Sequence, residues 1–282
     1  MKASRSSKKA SGFTLVELIV VLVILATLAA LLVLCALVLC GCGRQEQDEP
    51  LPKLVIGSDN YEPYFYLDEG GSFAGIDVEI ATEACRRMGY EPEFQKIAWQ
   101  FKDILLEQGT VDCLWGCFSM TGREDRYQWA GPYMYSRQVM VVRSDSGIYR
   151  LSDLNGKRIA VQNGSRPEEL LLNHQVDGVE QVQNVYSFVS MDEVFAALNK
   201  SYVDAGAGHE TAYRHFMSHH TGSYRILEQE LLRVGLGAAF SLEDDRGLAE
   251  QLDAVLEGMK EDGTIADILA GYGVDAKAAL VG

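Results

Sequence analysis

Two loops in this 282-residue chain carry side chains that suit the charged ends of a small metabolite. The first loop, residues 59–66, follows a short apolar segment and combines acidic with aromatic residues. A carboxylate such as Asp59 can bind an ammonium group, and the ring of Tyr61 can pack against a ligand side chain. A rigid turn whose aromatic residues fill the core has the same composition, and the sequence leaves both interpretations open.

The second loop, residues 163–168, has the pattern of a helix N-terminus. Ser165 stands at the capping position, Glu168 follows three residues later, and a proline lies in the first turn. Free N–H groups at such a helix start attract anions, so Gly164, Ser165 and Arg166 are candidates for binding a carboxylate. An ordinary helix start would show the same pattern.

The charge distribution narrows the function classes. A formal net charge of −15 argues against nucleic acid as a partner, because phosphate contact requires clustered Lys and Arg. Residues 1–42 are basic on balance and contain an uncharged apolar run over residues 18–39, long enough to cross a bilayer as a hydrophobic helix. This signal or anchor segment predicts an exported protein held at the outer face of the cell membrane. Residues 43–52 are predicted to be a linker.

Two processing patterns overlap in the N-terminal segment. Residues 39–42 resemble a bacterial lipobox, which implies lipidation of Cys42. Residues 12–19 resemble a type IV prepilin leader, with Gly12 at the cleavage position and Glu17 five places further on. The sequence leaves open whether processing occurs at Gly12, at Cys42 or at neither.

The rest of the chain alternates short apolar strands with amphipathic helices. This alternation predicts an α/β fold of two lobes, each with a mainly parallel sheet flanked by helices. Strands over residues 139–142 and 234–240 are predicted to be the two hinge crossings. Lobe 1 then contains residues 53–141 and 232–282, lobe 2 contains residues 147–230, and a ligand is expected in the cleft between them.

One segment identifies a family resemblance. Residues 75–88, which begin Gly-Ile-Asp-Val-Glu-Ile, resemble the signature of bacterial extracellular solute-binding proteins, family 3. Further resemblances follow in the family's order at Trp99 with Leu106, Gly109 and Asp112, at residues 119–121, at residues 129–133, at residues 151–157 and at residues 259–264. The resemblance implies the type II periplasmic-binding-protein fold, an amino-acid ligand, no cofactor or metal, and an ABC transporter permease as partner.

The resemblance also implies how a ligand carboxylate is bound. In this family an arginine just after a Ser-Ile-Thr run contacts that group, but the usual position here is Glu124. Arg123 or Arg126 must therefore serve, and we favour Arg123 because it follows a glycine turn beside Ser119 and Thr121.

The ammonium contact departs from the family pattern as well. The family places an Asp five residues after a Val-Asp-Ala run, where this chain has His209, followed by Glu210. We favour Glu210 for the role, while His209 stays open as a neutral donor or a packing residue. The complete set of residues expected to bind the ligand is Asp59, Tyr61, Trp99, Ser119, Thr121, Arg123, Gly164, Ser165, Arg166 and Glu210.

We therefore expect a non-enzymatic receptor that closes two lobes around a small solute. Two alternatives remain: an enzyme on the same fold, similar to cyclohexadienyl or arogenate dehydratases, and a sensor or pilus-associated binding module. The spacing of His215, His219 and His220 suits a solvated helix face better than a metal site. The sequence does not fix which solute is bound.

Overall fold

The computed structural model describes residues 15–41 and 50–282, with the backbone alone for residues 32–41. The chain divides into two compact units at Pro50. The first unit contains one helix, α1, at Leu15–Gly41. Across the described residues, no helix combines the length and the apolar character needed to cross a membrane. Gly12 and Cys42 lie outside the described residues.

The second unit alternates strands and helices, as predicted. Its strands are β1 (Lys53–Ser58), β2 (Tyr66–Leu67), β3 (Phe73–Ala74), β4 (Glu91–Lys96), β5 (Cys113–Leu114), β6 (Gln128–Arg143), β7 (Arg158–Gln162), β8 (Asn184–Phe188), β9 (Ala205–His209), β10 (Tyr224–Ile226) and β11 (Leu232–Phe240). Its helices are α2 (Ile76–Met88), α3 (Lys102–Glu107), α4 (Arg166–Leu172), α5 (Met191–Asn199), α6 (Glu210–His219), α7 (Leu248–Glu261), α8 (Thr264–Gly271) and α9 (Ala276–Ala279), with short 3-10 helices at Trp99–Phe101 and Leu151–Leu154.

The main sheet has the strand order β4-β1-β5-β11-β6-β9-β7-β8, and β10 pairs with β6. Strand β1 runs parallel to β4 and β5, and β7 runs parallel to β8 and β9, so the sheet contains two parallel groups. The antiparallel strands β6 and β11 join these groups. The carboxyl ends of the parallel strands are where ligands bind in open α/β sheets, and both groups contribute such ends.

The long strand β6 carries the chain from one half of the sheet to the other. Its residues up to Gln138 pair with β11, and residues 138–142 pair with β9. Gln138 lies opposite both Leu232 and His209, which places it at the crossing point. Residues 139–142, which we predicted to be a hinge crossing, pair with β9. The lobe bounds stay predictions.

Helix α2 shows why the family signature has its residue pattern. Gly75 precedes the helix at φ 125°, and a Cβ there would lie 2.2 Å from the carbonyl oxygen of Tyr64, so only glycine fits. The buried carboxylate of Asp77 accepts hydrogen bonds from the backbone N–H of Cys117 at 2.6 Å and from Tyr133 Oη at 2.8 Å. Burial raises the pKa of Asp77 to about 7. Asp77 thus fixes the loop that follows β5, which lines the candidate site.

Candidate functional site

A narrow cavity lies at the carboxyl ends of β1, β5, β7 and β9, between the two halves of the sheet. Asp59 follows β1, the loop at residues 116–119 follows β5, Gln162 ends β7, and His209 ends β9. The cavity volume is about 30 Å³, which is room for roughly two water molecules. Residues separated by more than a hundred positions in sequence therefore meet at one small site.

Arg123 forms the cationic end of this cavity. Its side chain is only 6% exposed, and its guanidinium carbon lies 5.3 Å from the ring centroid of Phe118. Its Nη2 donates to the carbonyl oxygen of Gly164 and to Glu169, both at a long 3.4 Å. Burial lowers the pKa of Arg123, because desolvation opposes its charge. Arg126 is 54% exposed and does not line the cavity, so the geometry favours Arg123 for the carboxylate contact.

The carboxylate of Glu169 is bound by three arginines. It accepts from Arg166 Nη1 at 2.9 Å, from Arg126 Nη2 at 3.0 Å and from Arg123 at 3.4 Å. Burial favours the neutral form of Glu169, but the hydrogen bond from Arg166 and the charges of Arg123 and Arg126 outweigh it and lower the pKa of Glu169. Glu169 thus links the two halves of the molecule and occupies cations that a ligand carboxylate would use.

Only one half of the predicted capping box forms at the start of α4, because Glu168 binds the N–H of Gly164 instead of the N–H of Ser165. Ser165 Oγ accepts from the backbone N–H of Glu168 at 3.3 Å, and the Glu168 carboxylate accepts from the N–H of Gly164 at 2.6 Å. The helix is only seven residues long, and its own side chains bind these N–H groups. Arg166 lies beside the cavity, and its Nε is buried without a hydrogen-bond partner among the described residues.

Asp59 forms the acidic end of the cavity. Its carboxylate is buried and accepts a very short hydrogen bond from Gln162 Nε2. Burial raises the pKa of Asp59 to about 7, and the Gln162 hydrogen bond only partly opposes that shift. The neighbouring ring of Tyr61 is buried and lies edge-on to His209, with ring centroids 5.8 Å apart. Both residues expected from the first loop therefore reach the site.

His209 also lies in the cavity and is neutral. Burial lowers the pKa of its imidazole to about 3. One ring nitrogen is 2.8 Å from Gln138 Nε2, and the other is 3.0 Å from Ser136 Oγ. Gln138 Oε1 is buried and has no hydrogen-bond partner within the part of the chain described by the structure. This amide oxygen can accept a hydrogen bond from a ligand.

Three predicted residues do not line the cavity: Glu210, Thr121 and Gly164. Gly164 lies next to the cavity, where its carbonyl oxygen accepts from Arg123. Glu210 begins α6 and points away from the cavity, where Arg137 and Arg214 bind its carboxylate. Our preference for Glu210 as the ammonium contact is corrected for this reason: a side chain adjacent to His209 at the strand–helix junction faces the other way. Thr121 Oγ1 accepts from the N–H of Gly235 at 3.2 Å and supports the loop rather than lining the cavity.

Trp99 and Ser119 line the cavity as expected, but the predicted set lacked Phe118, Gln138 and Gln162, which also line it, and Lys102, which lies beside Trp99. Phe118 packs edge-on against Trp99 with ring centroids 4.9 Å apart. Gln138 and Gln162 are buried amides within apolar strands, and a polar residue inside such a strand is a signal that could have identified both. Lys102, the fourth, is buried at the start of α3.

Family models match two parts of the chain. Residues 54–275 match the model described as bacterial extracellular solute-binding proteins, family 3. Residues 7–40 match the prokaryotic N-terminal methylation motif, which confirms the prepilin-like resemblance of the N-terminus.

Curated relatives agree with the family match. The L-cystine-binding protein TcyA of Bacillus subtilis is 26% identical over 252 residues, covering 83% of this chain and 90% of that protein. The arginine-binding extracellular protein ArtP of the same organism is 34% identical over 136 residues, covering 48% of this chain and 53% of that protein.

Solved structures agree on the fold. Tv2483 bound to L-arginine has a TM-score of 0.73 and 29% identity, covering 79% of this chain and 92% of that one. An ancestral arginine-binding protein bound to arginine has a TM-score of 0.71 and 25% identity, and the match covers 79% of this chain and 99% of that one. These likenesses confirm the predicted two-lobe α/β fold of the type II periplasmic-binding-protein class.

Proposed function

Because this chain belongs to the bacterial extracellular solute-binding proteins, family 3, we propose that it is a receptor that binds an amino acid outside the cytoplasm and delivers it to an ABC transporter permease. The observation that carries this proposal is that Arg123 and Asp59 line the same cavity. A guanidinium at one end and a carboxylate at the other suit the two charges of an amino acid. The relatives TcyA, an L-cystine-binding protein, and ArtP, an arginine-binding protein, support the same class of ligand.

The ligand's carboxylate binds Arg123 from the first half and Arg166 from the second. Its ammonium binds Asp59, with the free amide oxygen of Gln138 as a further acceptor. This assignment replaces Glu210, whose carboxylate is bound by two arginines outside the cavity.

Binding requires the two halves to move. A cavity of about 30 Å³ is far smaller than the roughly 300 Å³ or more typical of ligand pockets. The halves must therefore separate to admit an amino acid and close again around it. The ligand stabilises the closed state because only that state brings Arg123 and Arg166 to the same carboxylate. The closed receptor then docks on the permease.

Thermal melting of the full-length protein with each proteinogenic amino acid tests the proposal. A ligand that binds only the folded state raises the melting temperature. We expect at least one amino acid to do so in the wild type and not in the Arg123→Met variant. Absence of any shift across the panel would contradict the proposal. Product formation from prephenate or arogenate, followed by mass spectrometry, would instead support the enzyme alternative.

We also propose that the N-terminus holds the receptor at the outer face of the membrane. The basic head, the apolar run and the methylation-motif match support this location. The intact mass of the mature protein distinguishes cleavage after Gly12 from lipidation at Cys42, and recovery in the membrane fraction tests attachment. An unprocessed chain found only in the soluble fraction would contradict this part of the proposal.

A further inference from the structure

A second buried cation, Lys102, lies beside Arg123 at the same end of the cavity. Its side chain is 8% exposed, and its Nζ stands 5.4 Å and 5.9 Å from the ring centroids of Trp99 and Phe118. A Cβ added to Gly164 would lie 3.3 Å from this ammonium, and Arg123 Nη2 is 3.4 Å from the carbonyl oxygen of Gly164. The two cations therefore reach across the cleft to the same glycine.

Both buried cations have only distant carboxylate partners. Lys102 Nζ is 3.7 Å from the Asp103 carboxylate, and the ion pair of Arg123 spans 3.4 Å. More exposed arginines on the same molecule have much shorter ion pairs, such as 2.6 Å at Arg87 and 2.7 Å at Arg246. Buried charges normally need closer partners than surface charges, because they have lost water. Here the buried cations have longer ion pairs than the more exposed arginines, which indicates that this site can bind a further anionic group.

The neighbouring carboxylates are bound by other groups. Asp103 accepts a very short hydrogen bond from Tyr127 Oη. Glu168 accepts from the N–H of Gly164, and Glu169 is bound by three arginines. Burial lowers the pKa of Lys102, and the nearby charge of Arg123 adds to that effect. The aromatic rings beneath Nζ stabilise the ammonium without neutralising it.

Space for a ligand group adjoins these cations. We call it the Lys102 depression; it shares Arg123 and Ser165 with the cavity. Its other charged lining residues are Lys102, Arg126, Asp103, Glu168 and Glu169. Its volume is about 340 Å³, within the range of small-molecule sites. A ligand held at Arg123 can therefore extend into this depression, whereas the 30 Å³ cavity has no such room.

We propose that Lys102 forms a second anionic subsite, and that the solute is an acidic amino acid or a small dicarboxylate. One carboxylate of the ligand binds Arg123, and the other binds Lys102 in the Lys102 depression. This inference rests on the proposed function and adds the class of solute to it. Lys102 is a specificity residue in this assignment, because a ligand lacking the second acid leaves its ammonium without a close anion.

Calorimetric titration of the full-length protein with L-glutamate and L-glutamine tests the subsite. The two ligands have nearly the same shape and differ by one negative charge. We expect the wild type to bind glutamate about tenfold or more tightly than glutamine, the usual effect of a charge-assisted hydrogen bond. In Lys102→Met, whose unbranched side chain suits the aromatic rings, we expect the preference to fall within about threefold. Lys102→Arg should retain the preference.

Lys53→Met is the matched control, because Lys53 is an exposed lysine paired with Glu93 and lies outside the cavity. It should leave the preference unchanged. The wild-type comparison needs no variant, so a folding defect in Lys102→Met does not remove the test. Equal or tighter binding of glutamine or of L-arginine by the wild type would overturn the subsite and leave the proposed function standing. A preference that survives in Lys102→Met would also overturn it. Failure to bind any amino acid would overturn both.

Discussion

Glu169 occupies the arginines that we propose bind the ligand's carboxylate, so its removal should tighten binding. Its side chain is 23% exposed and contacts Arg166 at 2.9 Å, Arg126 at 3.0 Å and Arg123 at 3.4 Å. A ligand carboxylate that binds Arg123 must displace or share this interaction. Glu169→Gln keeps the size and one hydrogen-bonding oxygen of the side chain but removes the negative charge.

The expected gain in affinity is calculated from the longest of these contacts, the one between Arg123 and Glu169. Two unit charges 3.4 Å apart interact by about 5 kcal/mol at an effective dielectric constant near 20. The cost of removing both groups from water cancels most of that energy, and charge-assisted hydrogen bonds contribute about 1.5–3 kcal/mol net. The contact is long, so the lower figure applies, and about 1.5 kcal/mol corresponds to roughly a tenfold gain in affinity.

Calorimetric titration with L-glutamate and L-arginine measures this gain, because both probes carry an α-carboxylate. Glu257→Gln is the control, since Glu257 is an exposed glutamate paired with Lys260 and lies outside the cavity. We expect Glu169→Gln to tighten binding of whichever probe binds the wild type, and Glu257→Gln to leave it unchanged. Unchanged or weaker binding in Glu169→Gln would refute the competition and indicate that Glu169 assists closure instead.

Three further predictions concern the same site. Arg123→Met should weaken binding of L-glutamate or L-arginine by about 30-fold or more in calorimetric titration, because it truncates a buried charged contact. Full affinity in this variant would mean that another residue binds the ligand's carboxylate. The pKa of Asp59 is about 7 in the folded protein and about 3.8 in the unfolded chain. Between these values the folded state holds a proton that the unfolded state has lost, so the free energy of unfolding should decrease as the pH rises from about 4 to 7. The ionised form binds the ligand's ammonium, so affinity should fall about tenfold from pH 8 to pH 6. Asp59→Asn should flatten the pH–affinity profile and reduce the slope of the pH–melting profile, to which Asp77 also contributes. Gly122→Ala places a Cβ 2.3 Å from Arg166 Nη2 and should weaken binding. Gly109 also has a positive φ but nothing within 4 Å of its added Cβ, so Gly109→Ala should lower stability alone, and equal affinity in the two variants would count against Arg166.

Much of the fold was predictable because its causes are local. The signature that begins at Gly75 contains a backbone conformation only glycine adopts, an acidic first turn and apolar residues at helical spacing. The strand–helix alternation likewise predicted the parallel groups of the sheet. Arg123 was identified because a glycine turn and a family motif lie immediately beside it.

The sequence alone misplaced features that depend on which way a side chain faces. His209 and Glu210 are neighbours, yet β9 ends at the first and α6 begins at the second, so one side chain enters the cavity and the other faces two arginines outside it.

The sequence by itself determined the family, the order of elements and the cationic end of the site, because those follow from spacing within a few residues. Only the tertiary structure decided that Gln138 and Gln162 line the cavity with Asp59, and that Glu169 and Lys102 lie beside Arg123. These residues lie on different strands and helices, and their separation in space depends on how the two halves of the sheet pack. No local pattern encodes that packing, because burial and charge compensation are properties of the assembled cleft.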